Sequence, residues 1–212
     1  MSYTVPALRY DYDALEPIIG AETLRLHHDG HHQVYVDALN ETIAGVEHLQ
    51  DRTIEDLLRH LDEVPDAIRP QVREYGGGHA NHQLFWKIMA PPATSGGGLN
   101  GALADQIARD FGSFEVMKRE FEEAGIRHIG SGWVYLAMDP KSLTLEILTL
   151  PGNDSVLFMG KPALFVNDLW EHAYYVQHRN RKADYLRSWW NVVNWPYVGE
   201  RRQGIIEGRN QL

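Results

Sequence analysis

The sequence predicts an α+β protein in which an N-terminal helical hairpin domain precedes a C-terminal domain with a three-stranded antiparallel sheet and flanking helices. Two observations lead to this class. Apolar residues recur every three to four positions through most of the chain, as on one face of a helix, but the period falls to two near residues 133–150. A stretch rich in Pro and Gly, residues 90–98, separates the patterns and predicts two domains, 1–92 and 93–212.

The N-terminal domain contains two predicted long helices. Residues 1–15 predict an irregular arm, and helical spacing then runs over about 21–43. After a short helix at 53–60, a second long helix is predicted over 70–89, with three consecutive glycines at 76–78. Glycine is costly inside a helix. The three glycines therefore predict either a break or a place where another group comes close to the backbone.

The C-terminal domain is predicted to contain helices before and after its strands. Its predicted elements are helices at 102–111 and 114–124, strands at 133–138, 143–150 and 162–166, helices at 170–179 and 184–193, and a weaker helix after Pro196. The third strand leads directly to Asp168.

Composition excludes several classes of function. The 212 residues include no cysteine, which excludes disulfides, thiolate zinc sites and cysteine nucleophiles. A net charge of −9 argues against nucleic acid as a partner, and no apolar run is long enough to span a membrane. The first residues contain no basic stretch followed by an apolar run, so no secretory signal is expected and a cytoplasmic location is predicted. The eleven histidines remain to be explained.

Three histidine-containing segments predict a metal site. Asp168 and His172 are four residues apart and can reach one point if Asp168 lies at or just before a helix start. Such a pair alone more often belongs to an ordinary capped helix, and one histidine on an apolar helix face is usually a core residue. Two further pairs change this balance: they are His27 with His31 and His79 with His82. Imidazoles with one carboxylate suit iron, manganese or zinc.

Two common metal motifs are missing from the sequence. There is no His-Glu-x-x-His, which counts against a zinc peptidase, and no Glu-x-x-His, which counts against a di-iron bundle. A mononuclear site assembled from separate helices, suited to one-electron chemistry, is the remaining prediction.

Five longer motifs lie in order along the chain. They are Leu26-His27-His28-x-x-His31-His32, Gly77-Gly78-His79-Ala80-Asn81-His82 with Leu84-Phe85-Trp86, Gly130-Ser131-Gly132-Trp133, Asp168-x-Trp170-Glu171-His172-Ala173-Tyr174-Tyr175, and Trp189-Trp190-Asn191-Val192-Val193-Asn194-Trp195. Through these motifs the chain resembles the iron/manganese superoxide dismutases over nearly its whole length.

This resemblance implies a ligand set and a reaction. The implied metal ligands are His27, His82, Asp168 and His172, with a bound water or hydroxide as the fifth. Spacing alone does not separate His27 from His28, or His82 from His79. The implied cofactor is manganese, with iron, or either metal, as the alternative. The implied reaction is the disproportionation of superoxide to dioxygen and hydrogen peroxide.

The resemblance also implies roles around the metal and between subunits. His31 and Tyr35 would line the pocket, with Tyr35 at the mouth of the substrate channel. The protein would be a homodimer, with a tetramer as the alternative. Glu171 would reach the partner's His172 across a two-fold interface, and Tyr175 would reach the partner's His31.

Asn153 departs from the family pattern. Gly77, Gly78, Phe85 and Asp154 resemble manganese-type members, which usually supply a Gln from the turn after the second strand. Asn153 is one methylene shorter, so its hydrogen bond to metal-bound solvent would be longer, water-bridged or absent. We therefore predict a higher reduction potential than in an Asn153→Gln variant. The alternative functions are a metal-binding relative without catalysis, for which Asn153 is the only hint, and a mononuclear hydrolase, for which no second base is recognisable.

Overall fold

The first long helix contains a π turn at the predicted histidine cluster. In the computed structural model, which describes residues 2–95 and 98–209, this helix consists of Ala21–Arg25, the π turn Leu26–His32 and Gln33–Ile43. Its extent agrees with the sequence, but the π turn was not predicted. Such a one-residue insertion offsets the following side chains by about 100° around the axis, because an α-helix has 3.6 residues per turn.

The second long helix also contains a π turn. It consists of Arg69–Gln71, the π turn Val72–Gly76 and Gly77–Lys87. The chain does not break at the glycines. A Cβ atom on Gly77 would overlap the carbonyl oxygen of Asn153, and one on Gly78 would lie 2.9 Å from the ring of Tyr35. Close approach to the backbone is therefore the reason for these glycines.

Short helices complete the N-terminal part. They are Glu47–Gln50, which was not predicted, Ile54–Arg59 and the 3-10 turn Leu61–Glu63. Thr53 caps the second of these by accepting a hydrogen bond from the Asp56 amide at 3.2 Å. Together with the long helices they enclose a small core whose buried members include Leu39, Ile43, Leu57, Leu58 and Val72.

A three-stranded antiparallel sheet forms the centre of the C-terminal part. Its strands are β1 (Gly132–Met138), β2 (Leu145–Pro151) and β3 (Ala163–Asp168), in the spatial order β2-β1-β3. Every residue of β1 and β3 is buried. Because Trp133 pairs with Asp168, the beginning of β1 lies beside the end of β3.

The second strand begins later than predicted. The sequence indicated a start at 143, but Leu143 has a φ of 57°, in the left-handed region, and belongs to the turn. Asp139 Oδ1 accepts hydrogen bonds from the amides of Lys141 and Ser142, both at 2.9 Å, and so closes this turn. The regular strand can begin only beyond it.

The remaining helices cover the sheet. They are Gly101–Phe111, Phe114–Arg127, the 3-10 turn Val156–Met159, Lys182–Trp189 with the 3-10 turn Trp190–Val192, and Trp195–Ile206. The larger core lies between these elements and the sheet and is rich in aromatic rings, among them Phe121, Phe165 and Trp189. This arrangement, with the N-terminal hairpin, confirms the predicted α+β fold class.

The single helix predicted over 170–179 is wrong. The structure has a 3-10 turn at Glu171–Ala173 and a short α-helix at Tyr175–His178, with Tyr174 at a φ of −140° between them. Asp168 Oδ1 accepts a hydrogen bond from the Trp170 amide at 2.8 Å, which stabilises the extended residue before the 3-10 turn. Asp168 therefore ends a strand, and His172 lies on the turn that follows.

Parts of the predicted segments lie outside the described residues. These are residue 1 of the arm, residues 96 and 97 of the linker, and residues 210–212 of the C-terminal domain. Among the described helices, none has the length and apolar character that a membrane crossing requires.

Candidate metal centre

Four side chains from separate parts of the fold converge at one point. His27 comes from the π turn of the first long helix and His82 from the second long helix. Asp168 ends β3, and His172 lies on the adjoining 3-10 turn. One nitrogen or oxygen atom of each lies within 4.8 Å of the others. Residues far apart in sequence thus form a single cluster.

The Asp168 carboxylate lies among the three imidazoles. Its Oδ2 atom is 3.1 Å from His27 Nε2, 3.2 Å from His172 Nε2 and 3.8 Å from His82 Nε2. Three imidazole nitrogens and one carboxylate oxygen are a donor set for a divalent or trivalent first-row metal.

Unsatisfied nitrogen atoms test whether a metal fits this cluster. His82 Nδ1 donates to the Gly78 carbonyl oxygen at 2.6 Å, so its Nε2 carries a lone pair. Nε2 of His82 and Nε2 of His27 are buried and make no hydrogen bond among the described residues. A buried polar atom without a partner costs about 1–3 kcal/mol. A bound cation would satisfy both atoms, and the cluster therefore fits a metal.

Burial keeps His27 and His82 neutral, whereas the neighbouring histidines keep the Asp168 carboxylate charged. Burial lowers the pKa of His27 to about 4 and that of His82 well below its usual value. Burial alone would raise the pKa of Asp168, but His172 and His27 outweigh it and hold this pKa below its usual range. These protonation states are the ones that metal binding needs.

The neighbouring histidines have other hydrogen-bond partners. His28 lies 2.7 Å from Asp29 Oδ1 through Nδ1 and 2.9 Å from the Pro6 carbonyl oxygen through Nε2. His79 Nδ1 lies 2.8 Å from His32 Nε2. Both residues point away from the cluster. The geometry thus separates the histidines that spacing left equivalent.

Aromatic rings surround the cluster. Trp133 packs edge-on against His82 with ring centroids 4.9 Å apart, and Trp170 stacks on His172 at 5.5 Å. Trp86 packs against His27 at 4.8 Å. These rings exclude water from the donor atoms, which strengthens electrostatic interactions there.

Tyr35 and His31 lie at the rim of the cluster. The half-buried Tyr35 ring is 5.5 Å from His82, and the exposed His31 stacks on His172 at 4.1 Å. Burial raises the pKa of Tyr35, so its hydroxyl is protonated at neutral pH. Burial and the nearby His172 lower the pKa of His31.

Asn153 is buried beside the cluster, and both ends of its amide are engaged. Trp133 Nε1 donates to Asn153 Oδ1 at 3.4 Å, and Asn153 Nδ2 donates to Glu74 Oε1 at 2.6 Å. Sequence analysis did not identify Glu74. It lies 79 residues from Asn153, and no local pattern indicates such a contact.

The fold and the cluster define a class: an α+β protein in which three imidazoles and one carboxylate form a largely buried group that fits a metal. Comparison with known proteins gives the family. Residues 2–90 match the model of the iron/manganese superoxide dismutase alpha-hairpin domain, and residues 99–201 match that of the C-terminal domain. The chain belongs to the iron/manganese superoxide dismutases, as its motifs predicted, and the predicted enzyme class, a metal-dependent oxidoreductase, is confirmed.

The names of individual relatives give either manganese alone or manganese and iron. A protein of Leptolyngbya boryana named superoxide dismutase [Mn] 1 is 47% identical over 92% of this chain and 78% of its own length. Superoxide dismutase [Mn] of Listeria innocua is 43% identical over 95% and 98%. Superoxide dismutase [Mn/Fe] 2 of Staphylococcus aureus is 42% identical over 96% and 98%.

Proposed function

We propose that this protein disproportionates superoxide to dioxygen and hydrogen peroxide at a mononuclear manganese or iron centre. The proposed ligands are His27, His82, Asp168 and His172, with a water or hydroxide as the fifth. The observation that carries this proposal is the convergence of four donor atoms within 4.8 Å in a buried site. The relatives' names support manganese, with iron as the alternative. When bound, the metal supplies one-electron redox chemistry by alternating between its trivalent and divalent states.

The charge of the donor set favours a small anion as substrate. Three neutral imidazoles and one carboxylate leave a centre of net positive charge with either metal state. In a pocket walled by Trp133 and Trp170, this charge is weakly screened. A local positive potential can therefore attract superoxide although the whole chain carries a net charge of −9.

Proton supply is the second task of the chain, because hydrogen peroxide needs two protons per turnover. Tyr35 stays protonated at neutral pH and lies at the rim, where its hydroxyl can donate. His31 lies between solvent and His172 and can accept or release a proton. We assign Tyr35 to proton donation, and His31 to its replenishment.

The proposal includes a homodimer, with a tetramer as the alternative. Glu171 is exposed, and Tyr175 is 45% exposed although it is a large aromatic residue. Both lie within three residues of His172, so an interface there would cover the exposed edge of the centre. Glu171 of one subunit would then accept a hydrogen bond from the partner's His172 and orient that imidazole.

Three further predictions belong to the same proposal. The domains are assigned to 1–92 and 93–212, with the boundary in the Pro- and Gly-rich stretch at 90–98. The cytoplasmic location stays a prediction, and the lack of a nucleic-acid partner rests on the net charge.

The test is to purify the protein from its native source, measure its metal content, and assay the manganese-loaded and iron-loaded forms for superoxide disproportionation. We expect one metal per chain and activity with manganese. A fully metal-loaded protein without activity would contradict the proposal and favour the metal-binding relative that has lost catalysis.

A further inference from the structure

Two consecutive side chains of the second long helix hold the turn at 152–154. Arg73 donates from Nε and Nη2 to the two carboxylate oxygens of Asp154, both at 2.7 Å. Glu74 Oε1 accepts from Asn153 Nδ2 at 2.6 Å. Hydrogen bonds to charged groups at this length are stronger than neutral ones. The π turn therefore fixes both side chains of the turn.

The backbone of this turn is held separately. Trp170 Nε1 donates to the Gly152 carbonyl oxygen at 3.1 Å, and Tyr135 Oη donates to that of Asp154 at 2.7 Å. The carbonyl of Asn153 packs against Gly77, where any Cβ atom would overlap it. Because the backbone cannot shift, the direction of the Asn153 amide depends on the partners of the amide itself.

The amide has two N–H groups and one oxygen atom to distribute. Its oxygen faces Trp133, whose ring packs on His82. One N–H is committed to Glu74, an exposed residue. Donation from the Asn153 amide to the Tyr35 oxygen opposes the effect of burial on the pKa of Tyr35, so the second N–H is directed to the rim where Tyr35 lies. Of the two N–H groups of the Asn153 amide, only one is thus left for the pocket beside the cluster, the pocket that superoxide would enter.

We propose that Glu74 is a positioning residue that directs one N–H of the Asn153 amide away from the anion pocket and thereby weakens the binding of small anions. This inference rests on the proposed function, since the pocket is the one that superoxide would enter. Without Glu74, the released N–H can turn towards the pocket and donate to a bound anion. The Glu74 carboxylate also repels anions directly, and the two effects have to be separated.

Azide, a small anion, serves as the probe. Its dissociation constant is measured by optical titration of the oxidised, metal-loaded protein. Glu74→Ala should bind azide about tenfold more tightly, the gain expected from one hydrogen bond to a charged group. Glu74→Gln can still accept from the amide through its own oxygen and should fall between Glu74→Ala and wild type.

A double-mutant cycle with Asn153→Ala separates the two effects. If Glu74 acts through the amide, Glu74→Ala should change azide affinity by less than about twofold in the Asn153→Ala protein. Direct repulsion by the carboxylate would remain in that background. Equal effects in both backgrounds would therefore refute the proposal.

Arg73→Gln is the matched control. Arg73 is the neighbour of Glu74 on the same π turn, and it also holds the chain turn at 152–154. It does so through the Asp154 carboxylate and not through the Asn153 amide. Arg73→Gln should show no coupling to Asn153→Ala. Coupling as strong as that of Glu74→Ala would mean that the position of the turn, and not the direction of the amide, controls affinity, and would refute the assignment to Glu74.

Superoxide turnover is measured on the same samples. Wild-type protein that shows the azide coupling but no turnover would support the role of Glu74 and refute the proposed function. An active series without coupling would leave the function standing and refute the role of Glu74. If Glu74→Ala does not fold, Glu74→Gln is used for the same cycle, with the same sign and a smaller change expected.

Discussion

On each long helix, one buried histidine faces the proposed metal centre and at least one other faces away. Burial does not distinguish them: His27 and His82 are 2% and 0% exposed, and His32 and His79 are 0% and 3% exposed. The hydrogen bonds of these histidines do distinguish them. Trp86 Nε1 donates to His32 Nδ1 at 3.0 Å, so the Nε2 of His32 carries its hydrogen and donates to His79 Nδ1 at 2.8 Å. The pair facing the centre leaves both Nε2 atoms without such partners.

This difference shows what separates a ligand from a core histidine. Both kinds are neutral, buried and surrounded by aromatic rings. A core histidine is satisfied by its neighbours, whereas a ligand histidine is held in one tautomer with its lone pair directed at the other donor atoms, as the hydrogen bond from His82 to the Gly78 carbonyl shows. Four tests probe this difference, in order of decreasing expected effect.

The largest effect is expected from truncating the centre. The variants His27→Ala, His82→Ala, Asp168→Ala and His172→Ala should each lose metal and activity together, because the donor set is incomplete. Metal content and turnover of each purified variant check this. His79→Ala is the matched control, since it removes an equally buried imidazole from the same helix. It should keep its metal and lose about 2–4 kcal/mol of stability.

Either of two results would contradict this comparison. Full metal content with full turnover in a truncated variant would show that its residue is not a ligand. Loss of metal from a folded His79→Ala protein would show that the hydrogen-bonded pair also serves the centre.

The second test concerns His172, the third imidazole, whose orientation is proposed to depend on a second subunit. Glu171→Ala should weaken subunit association and lower activity or metal affinity by about 10- to 100-fold, the usual cost of losing a carboxylate that orients a ligand histidine. Sedimentation and metal titration check both effects. Glu47→Ala, which removes an exposed carboxylate from a remote helix, is the control. A fully active wild-type monomer would refute the proposed dimer.

The third test uses pH to probe the histidine pair that faces away from the centre, His32 and His79. Burial, with a smaller effect of Lys87, lowers the pKa of His79 from 6.5 to about 4. The unfolded chain therefore takes up this proton first as the pH falls. The stabilisation from a neutral His79 is full above pH 6.5 and is lost towards pH 4, by up to about 3 kcal/mol.

Urea unfolding at pH 7 and pH 5 measures this loss. A His79→Asn variant lacks the titrating group, so its free energy of unfolding should fall less between the two pH values than that of the wild type. The other buried histidines titrate in both proteins and cancel in the difference. Equal losses in the two proteins would show that His79 does not contribute to acid sensitivity.

The smallest effect is expected from Asn153→Gln. An amide N–H that reaches the metal-bound solvent stabilises it as hydroxide, the form that accompanies the trivalent metal. The longer side chain should therefore lower the reduction potential of a given metal, so the wild-type protein should have the higher potential of the two proteins. Redox titration of the manganese and iron forms measures this. Unchanged potentials would show that residue 153 does not act on the solvent.

Long-period patterns of the sequence predicted the fold well. The hairpin and the sheet follow from apolar spacing that continues over many residues, and the resemblance identified the four residues that now lie together. The two π turns have no such signal in the sequence. Because a π turn adds one residue without changing the three-to-four spacing around it, neither the turn at Leu26–His32 nor that at Val72–Gly76 was predicted.

Local interactions explain what the sequence did not predict. The helix expected over 170–179 is broken because Asp168 binds the Trp170 amide and the chain bends again at Tyr174. Glu74 was missed because its hydrogen bond joins the second long helix to the turn after β2. Such contacts depend on the packed tertiary structure and leave no periodic pattern in the chain.

The proposed ligands lie up to 145 positions apart, from His27 on the first long helix to His172 near the C-terminal end. His27, His82 and Asp168 are at most 2% exposed, so we expect an ion bound by them to leave only when the helices or β3 move. Release requires the two halves of the chain to separate locally, at a rate set by that opening. Exchange of one metal for another is then slow compared with folding. We therefore expect the ion present when the chain first closes around the proposed site to determine which metal the protein carries.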